Sequence, residues 1–135
     1  IMGVTNFEDI TNGLSNEELS LVPDMCEAFR KYTKQNPIKA PIIVAKINAN
    51  KLTKIKFTEV RLRKIVNYIR TNGLIPLIAT SSGYYVDYSP EVIESQIKSL
   101  KERSSSIYHC AVGLEKILSN MNTSTQIEIF KPDNQ

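Results

Sequence analysis

The sequence predicts a mostly α-helical fold with a small β-hairpin, closed by one long C-terminal helix. Three observations predict it. Residues 58–72 repeat apolar side chains at helical spacing and stop at Asn72-Gly73. Two β-rich runs, "LIPLIAT" and "YYVDY", follow at once, separated by "SSG". After Ser89-Pro90, apolar residues recur at alternating steps of four and three for more than three heptads. With 135 residues, one domain plus an arm or tail is the expected organisation. The expected divisions are an arm over 1–14, the main domain over 15–88, the long helix over 89–118 and a polar tail over 119–135.

The first helix is expected within "LSNEELSLVPDMCEAFRKYTKQNP", because Ser15 and Glu18 have capping-box spacing. Leu19, Val22, Cys26, Phe29 and Thr33 make its apolar stripe. Pro23 fits only a first turn, so the helix is expected either to begin near Leu21 or to kink there. Asn36-Pro37 ends it. Ala40-Pro41 opens a second helix, with Ile42, Ile43, Ala45, Ile47 and Leu52 as its apolar side. Thr58 is a good N-cap for the third helix. Leu62, Ile65, Val66 and Ile69 form its buried stripe, and Gly73 suits the left-handed position after it. Pro76 fits only a strand end or edge. Ser89-Pro90-Glu91 reads as the start of the long helix, running to about Leu118. "ERSSS" at 102–106 is a polar girdle in that helix or a break in it. "TQIEIF" near the end is read as tail rather than strand.

The formal net charge of +3 hides a strong asymmetry. Residues 1–29 carry six acids and no Lys or Arg, whereas residues 30–72 carry twelve Lys and Arg against the single acid Glu59. A local charge of +11 attracts polyanions through phosphate contacts and counterion release. Three helices, the third basic, followed by a hairpin, is the order of a winged helix-turn-helix domain. In such a domain the third helix enters the major groove of duplex DNA and the hairpin is the wing. Arg61, Lys64 and Tyr68 are then expected to face outward at i, i+3 and i+7, beside Thr58 and Arg63. Lys51, Lys54 and Lys56 approach the backbone as point charges. Ser81 and Ser82 at the wing tip reach a phosphate or the minor groove.

From about Asn16 to Leu118 the chain also resembles small phage and prophage winged-helix proteins of bacteria. "LRKIVNYIRTNG" at 62–73, "SSGYYV" at 81–86 and "SPEVIESQIKSLKERSSSI" at 89–107 carry the resemblance, in the order that family keeps. The resemblance implies DNA binding in a bacterial host cytoplasm, with a role in replication or transcriptional control. A winged helix used for protein–protein interaction is the alternative reading. Single-strand binding through Tyr68, Tyr84 and Tyr85 is a third, although strand alternation already buries one of the two adjacent tyrosines.

The seam of the long helix comprises Ile93, Ile97, Leu100, Ser104, Ile107, Ala111, Leu114 and Leu118. A helix of that length outreaches one small domain, so its far half needs cover. A homodimer through 93–118 would supply it, and the first helix of the same chain is the other candidate. Nothing in the sequence argues for an enzyme. His109 is the only histidine, and no phosphate-binding Gly loop or GxSxG occurs. Asp87 and Glu91 lie where helix-start acids are expected. Cys26 and Cys110 have no metal or redox spacing and read as buried small hydrophobes. No cofactor, metal or small-molecule substrate is expected. No apolar run long enough for a membrane span is present, and no signal peptide is expected.

Overall fold

The computed structural model describes residues 13–124. Its elements are α1 (Asn16–Phe29), α2 (Ala40–Ala49), α3 (Glu59–Thr71), β1 (Leu77–Thr80), β2 (Gly83–Val86) and α4 (Pro90–Ser124). The protein is thus mostly helical with one small antiparallel sheet. The chain divides into two units, Ile1–Ile93 and Glu94–Gln135.

Helix α1 starts at Asn16, not near Leu21. The reciprocal Ser15–Glu18 capping box satisfies two backbone donors there, and the helix then runs through Pro23, which lies exposed on its surface. Its buried face is Glu18, Leu21, Val22, Met25, Cys26 and Phe29. Leu19 and Thr33 are exposed, a correction to the expected stripe. Helix α2 opens with Pro41 in its first turn and buries Ile43 and Ile47. Ile42, Ala45 and Leu52 face solvent instead of the core. Helix α3 buries Leu62, Ile65, Val66 and Ile69, the full expected stripe, under the Thr58 cap.

Two helix ends use the left-handed C-cap. After α3, Gly73 (φ 61) lets Leu74 N–H donate to Ile69 O at 3.0 Å. After α2, the same geometry puts Lys51 at φ 51, with Leu52 N–H donating to Ile47 O at 3.2 Å. A side chain is strained there, and no glycine in the sequence marks the position.

The hairpin pairs Leu77 with Val86 and Thr80 with Gly83 across a tight Ser81-Ser82 turn. A third stretch lies along β2. Ile38 N–H donates to Tyr84 O at 2.9 Å, and Tyr84 N–H donates to Ile38 O at 2.8 Å. Gly83 (φ 127) permits this approach, because a Cβ there would stand 2.6 Å from Ile38 O. Tyr85 is buried. Tyr84 is half-buried and packs its ring edge-on against Phe29, with centroids 5.8 Å apart. One core therefore joins α1, Ile38, α2, α3 and the hairpin, with Phe57, Leu62, Ile65 and Ile69 almost fully enclosed.

Helix α4 is continuous through Ser104, Ser105 and Ser106 and extends past Leu118 to Ser124. Ile107, Leu114, Leu118 and Met121 are exposed along it. Cys110 is exposed as well, whereas Cys26 is buried, so only one of the two thiols matches the expectation. Burial pushes the Cys26 thiol above its ordinary value. The "TQIEIF" run and residues 1–12 of the expected 1–14 arm lie outside the described residues.

Candidate nucleic-acid interface

The third helix shows four longitudinal faces. Its apolar stripe points into the core. One flank carries Arg61 and Lys64, which reach Glu18 of α1, and the partly buried Tyr68. The other, Glu59, Arg63 and Arg70, lies near enough to Tyr84 of β2 to act on it electrostatically. Between the flanks, opposite the stripe, Asn67 and Thr71 are exposed and Val60 is half-exposed.

The α1 flank contains a buried carboxylate. Glu18 has no solvent exposure. It accepts from Ser15 N–H at 2.9 Å, from Arg61 Nη1 at 2.9 Å and from Lys64 Nζ at 3.2 Å. The Arg61 side chain is 33% exposed and that of Lys64 only 15%. Burial alone would raise the carboxyl pKa, but the Ser15 N–H and the Lys64 and Arg61 cations outweigh it and hold Glu18 below 4.5. A charge in the core is tolerated only when so surrounded. The expectation that Arg61, Lys64 and Tyr68 face outward is therefore corrected. Glu18 draws both cations inward, and Tyr68 packs partly buried against the core.

The lysine-bearing loop before α3 is held at its base. Asn48 Nδ2 donates to Phe57 O at 3.0 Å, and Phe57 N–H donates to Asn48 Oδ1 at 3.0 Å. This two-point clamp, with Phe57 sealed in the core, closes the loop between α2 and α3. Lys51, Lys54 and Lys56 project from it as exposed side chains. Thr58 is half-buried, its hydroxyl occupied in accepting from Arg61 N–H at 3.3 Å. Ser81 and Ser82 are exposed at the hairpin tip, where Ser82 N–H and the Thr80 hydroxyl are joined at 3.2 Å.

Of the expected site residues, Lys51, Lys54, Lys56, Ser81 and Ser82 are thus exposed and Arg63 is half-exposed. Asn67 and Thr71 on the outer face of α3 were missed, although the helical wheel places them opposite the buried stripe. Lys39 was missed too. It is exposed, directly after the Ile38 bridge to β2, and only the tertiary pairing reveals that position.

Elsewhere, residues of α1 and α2 line an apolar groove of about 130 Å³. Leu21, Met25, Phe29, Ile43 and Leu52 line it, with Asp24 and Lys46. Among the described residues no group of three or more His, Cys, Asp or Glu is placed to hold a metal ion. No described helix is long and apolar enough to cross a membrane. No protein-family model, curated protein or solved structure matches this chain.

Proposed function

We propose that this protein binds duplex DNA as a winged helix-turn-helix, with α3 in the major groove and the Ser81-Ser82 turn as the wing tip. The observation that carries the reading is the clamped loop that delivers exposed Lys51, Lys54 and Lys56 to the start of α3. On the outer face of that helix Asn67 and Thr71 are polar and exposed. A major groove admits one α-helix, and lysines at its entry are suited to phosphate contact. The Ile38–Tyr84 bridge beside the hairpin supports the same topology. On the outer face, Asn67 is suited to adenine and Arg63 to guanine or phosphate. Arg61 and Lys64 serve here as positioning residues that lock α3 to α1. The resemblance to small phage and prophage proteins points the same way. It adds a bacterial cytoplasmic setting and a role in replication or transcriptional control.

One observation favours a second reading, a protein-interaction module: the apolar groove beside α2 is large enough to accept a side chain. Fluorescence anisotropy with random duplex and single-stranded DNA, at low and moderate salt, separates the two. Duplex binding that weakens steeply with salt is expected. Absence of duplex binding at low salt would refute the DNA reading and direct attention to the groove.

A further inference from the structure

We propose that α4 pairs with α4 of a second copy in an antiparallel coiled coil, with Ile107 of each chain set against Ala111 of the other. This goes beyond the DNA reading and does not depend on it. The seam runs Ile93, Ile97, Leu100, Ser104, Ile107, Ala111, Leu114, Leu118 and Met121 in unbroken steps of four and three along one continuous helix. Its large members lie open, Ile107 at 71% and Leu114 at 67% exposure. Such a seam needs a partner helix. The first helix of the same chain, the other candidate, has its apolar face buried in the core with α3.

The sequence of α4 is complementary to its own reverse. Antiparallel alignment about a two-fold near His109 layers Ile97 on Met121, Leu100 on Leu118, Ser104 on Leu114 and Ile107 on Ala111. Every small residue meets a large one. The same alignment sets Lys101 beside Glu115 of the other chain, twice by symmetry. Parallel alignment instead stacks Ser104 on Ser104 and Ala111 on Ala111, leaving two underfilled layers. It also puts β-branched Ile107 at a d position, where Leu favours two strands, and brings no opposite charges together. Sliding the antiparallel pair one heptad toward the N-termini sets Glu94 against Glu115. Sliding it the other way shortens the seam and separates Lys101 from Glu115. Charge and size therefore both select one register.

Cys110 tests the orientation. It flanks the seam next to the two-fold, so the two copies of Cys110 face each other in the antiparallel pair. In a parallel pair they lie on opposite edges of the seam. Treating the full chain at micromolar concentration with a short bis-maleimide is expected to give a covalent dimer that Cys110→Ala abolishes, since Cys26 is buried. Sedimentation equilibrium is expected to show a dimer. Lys101→Glu should weaken it about three- to tenfold, and adding Glu115→Lys should restore it. A monomer would overturn the pairing. A dimer that cross-links through Ser104→Cys in the Cys110→Ala background, but not through Cys110, would overturn the orientation. A dimer that cross-links at neither position would overturn the seam as the contact. None of these outcomes depends on DNA binding, so failure here is distinct from failure of the DNA reading.

Discussion

Glu18→Gln removes one charge from the core while leaving the volume almost unchanged. In the native protein that carboxylate neutralises Arg61 and Lys64 and accepts the Ser15 N–H. Stranding partners in a fully buried ion pair costs about 3–5 kcal/mol. Here both cations are long and partly exposed, so each can swing toward water, and glutamine retains one acceptor for Ser15. The expected loss is therefore about 2–3 kcal/mol, or roughly 10–20 °C in Tm for a unit of this size. Near-ultraviolet circular dichroism of buried Tyr85 during urea unfolding reports on this unit. The pH dependence gives a sharper check. A carboxyl held below its ordinary value contributes stability above that value and loses it as pH falls through the lowered one. Wild type should lose this stability as pH drops below 4.5. Glu18→Gln should not, so the gap between the two should narrow progressively as pH falls below the ordinary carboxyl range. A gap that stays constant with pH, or one below about 0.5 kcal/mol near neutrality, would show that the Glu18 carboxylate does not hold Arg61 and Lys64 as described above.

Four further outcomes are expected. Alanine at Lys51, Lys54 and Lys56 together should lower the salt slope of duplex binding by about 2.7, at about 0.9 for each phosphate no longer neutralised; Arg61→Ala with Lys64→Ala should leave that slope nearly unchanged while lowering urea stability. Lys51→Gly should raise stability by about 1 kcal/mol by relieving the left-handed side chain, and should weaken DNA binding in the same preparation, which urea titration and anisotropy would report with opposite signs. Gly83→Ala should cost about 2 kcal/mol or more, because its Cβ would press on Ile38 O; loss of hydrogen-exchange protection at the Tyr84 amide would locate the damage. Leu62→Ala should cost about 3 kcal/mol from a site with no solvent exposure, read by urea titration.

Local signals in the sequence carried most of the helical architecture. The α3 stripe was legible because Leu62, Ile65, Val66 and Ile69 share one face and both caps lie within the segment. The capping box of α1 was legible for the same reason. Pro23 misled, because the rule against interior proline is local, whereas packing of Leu21, Met25 and Phe29 holds the helix through it. The polar faces of α3 were the least legible. Nothing near Arg61 or Lys64 in sequence announces their partner, which lies 43 residues from Arg61. Glu18 showed only its capping role, and its second role exists only once α1 crosses α3. Lys51 was visible as a charge but not as a helix terminator, since the usual glycine is absent. The seam of α4 could be read from spacing alone, because a helix displays its own periodicity whether or not anything covers it.

The unbroken length of α4 makes it a ruler. In the proposed antiparallel pair the two-fold would lie near His109, and each chain runs from Ile93 to that point as uninterrupted helix. The two Ile93 positions are then about 48 Å apart at 1.5 Å per residue. Along B-DNA that span is about fourteen base pairs. If the proposed dimer binds duplex DNA as proposed, it would favour target sites by their separation as well as by their bases, and that gauge would be written in the number of heptads between Ile93 and Met121.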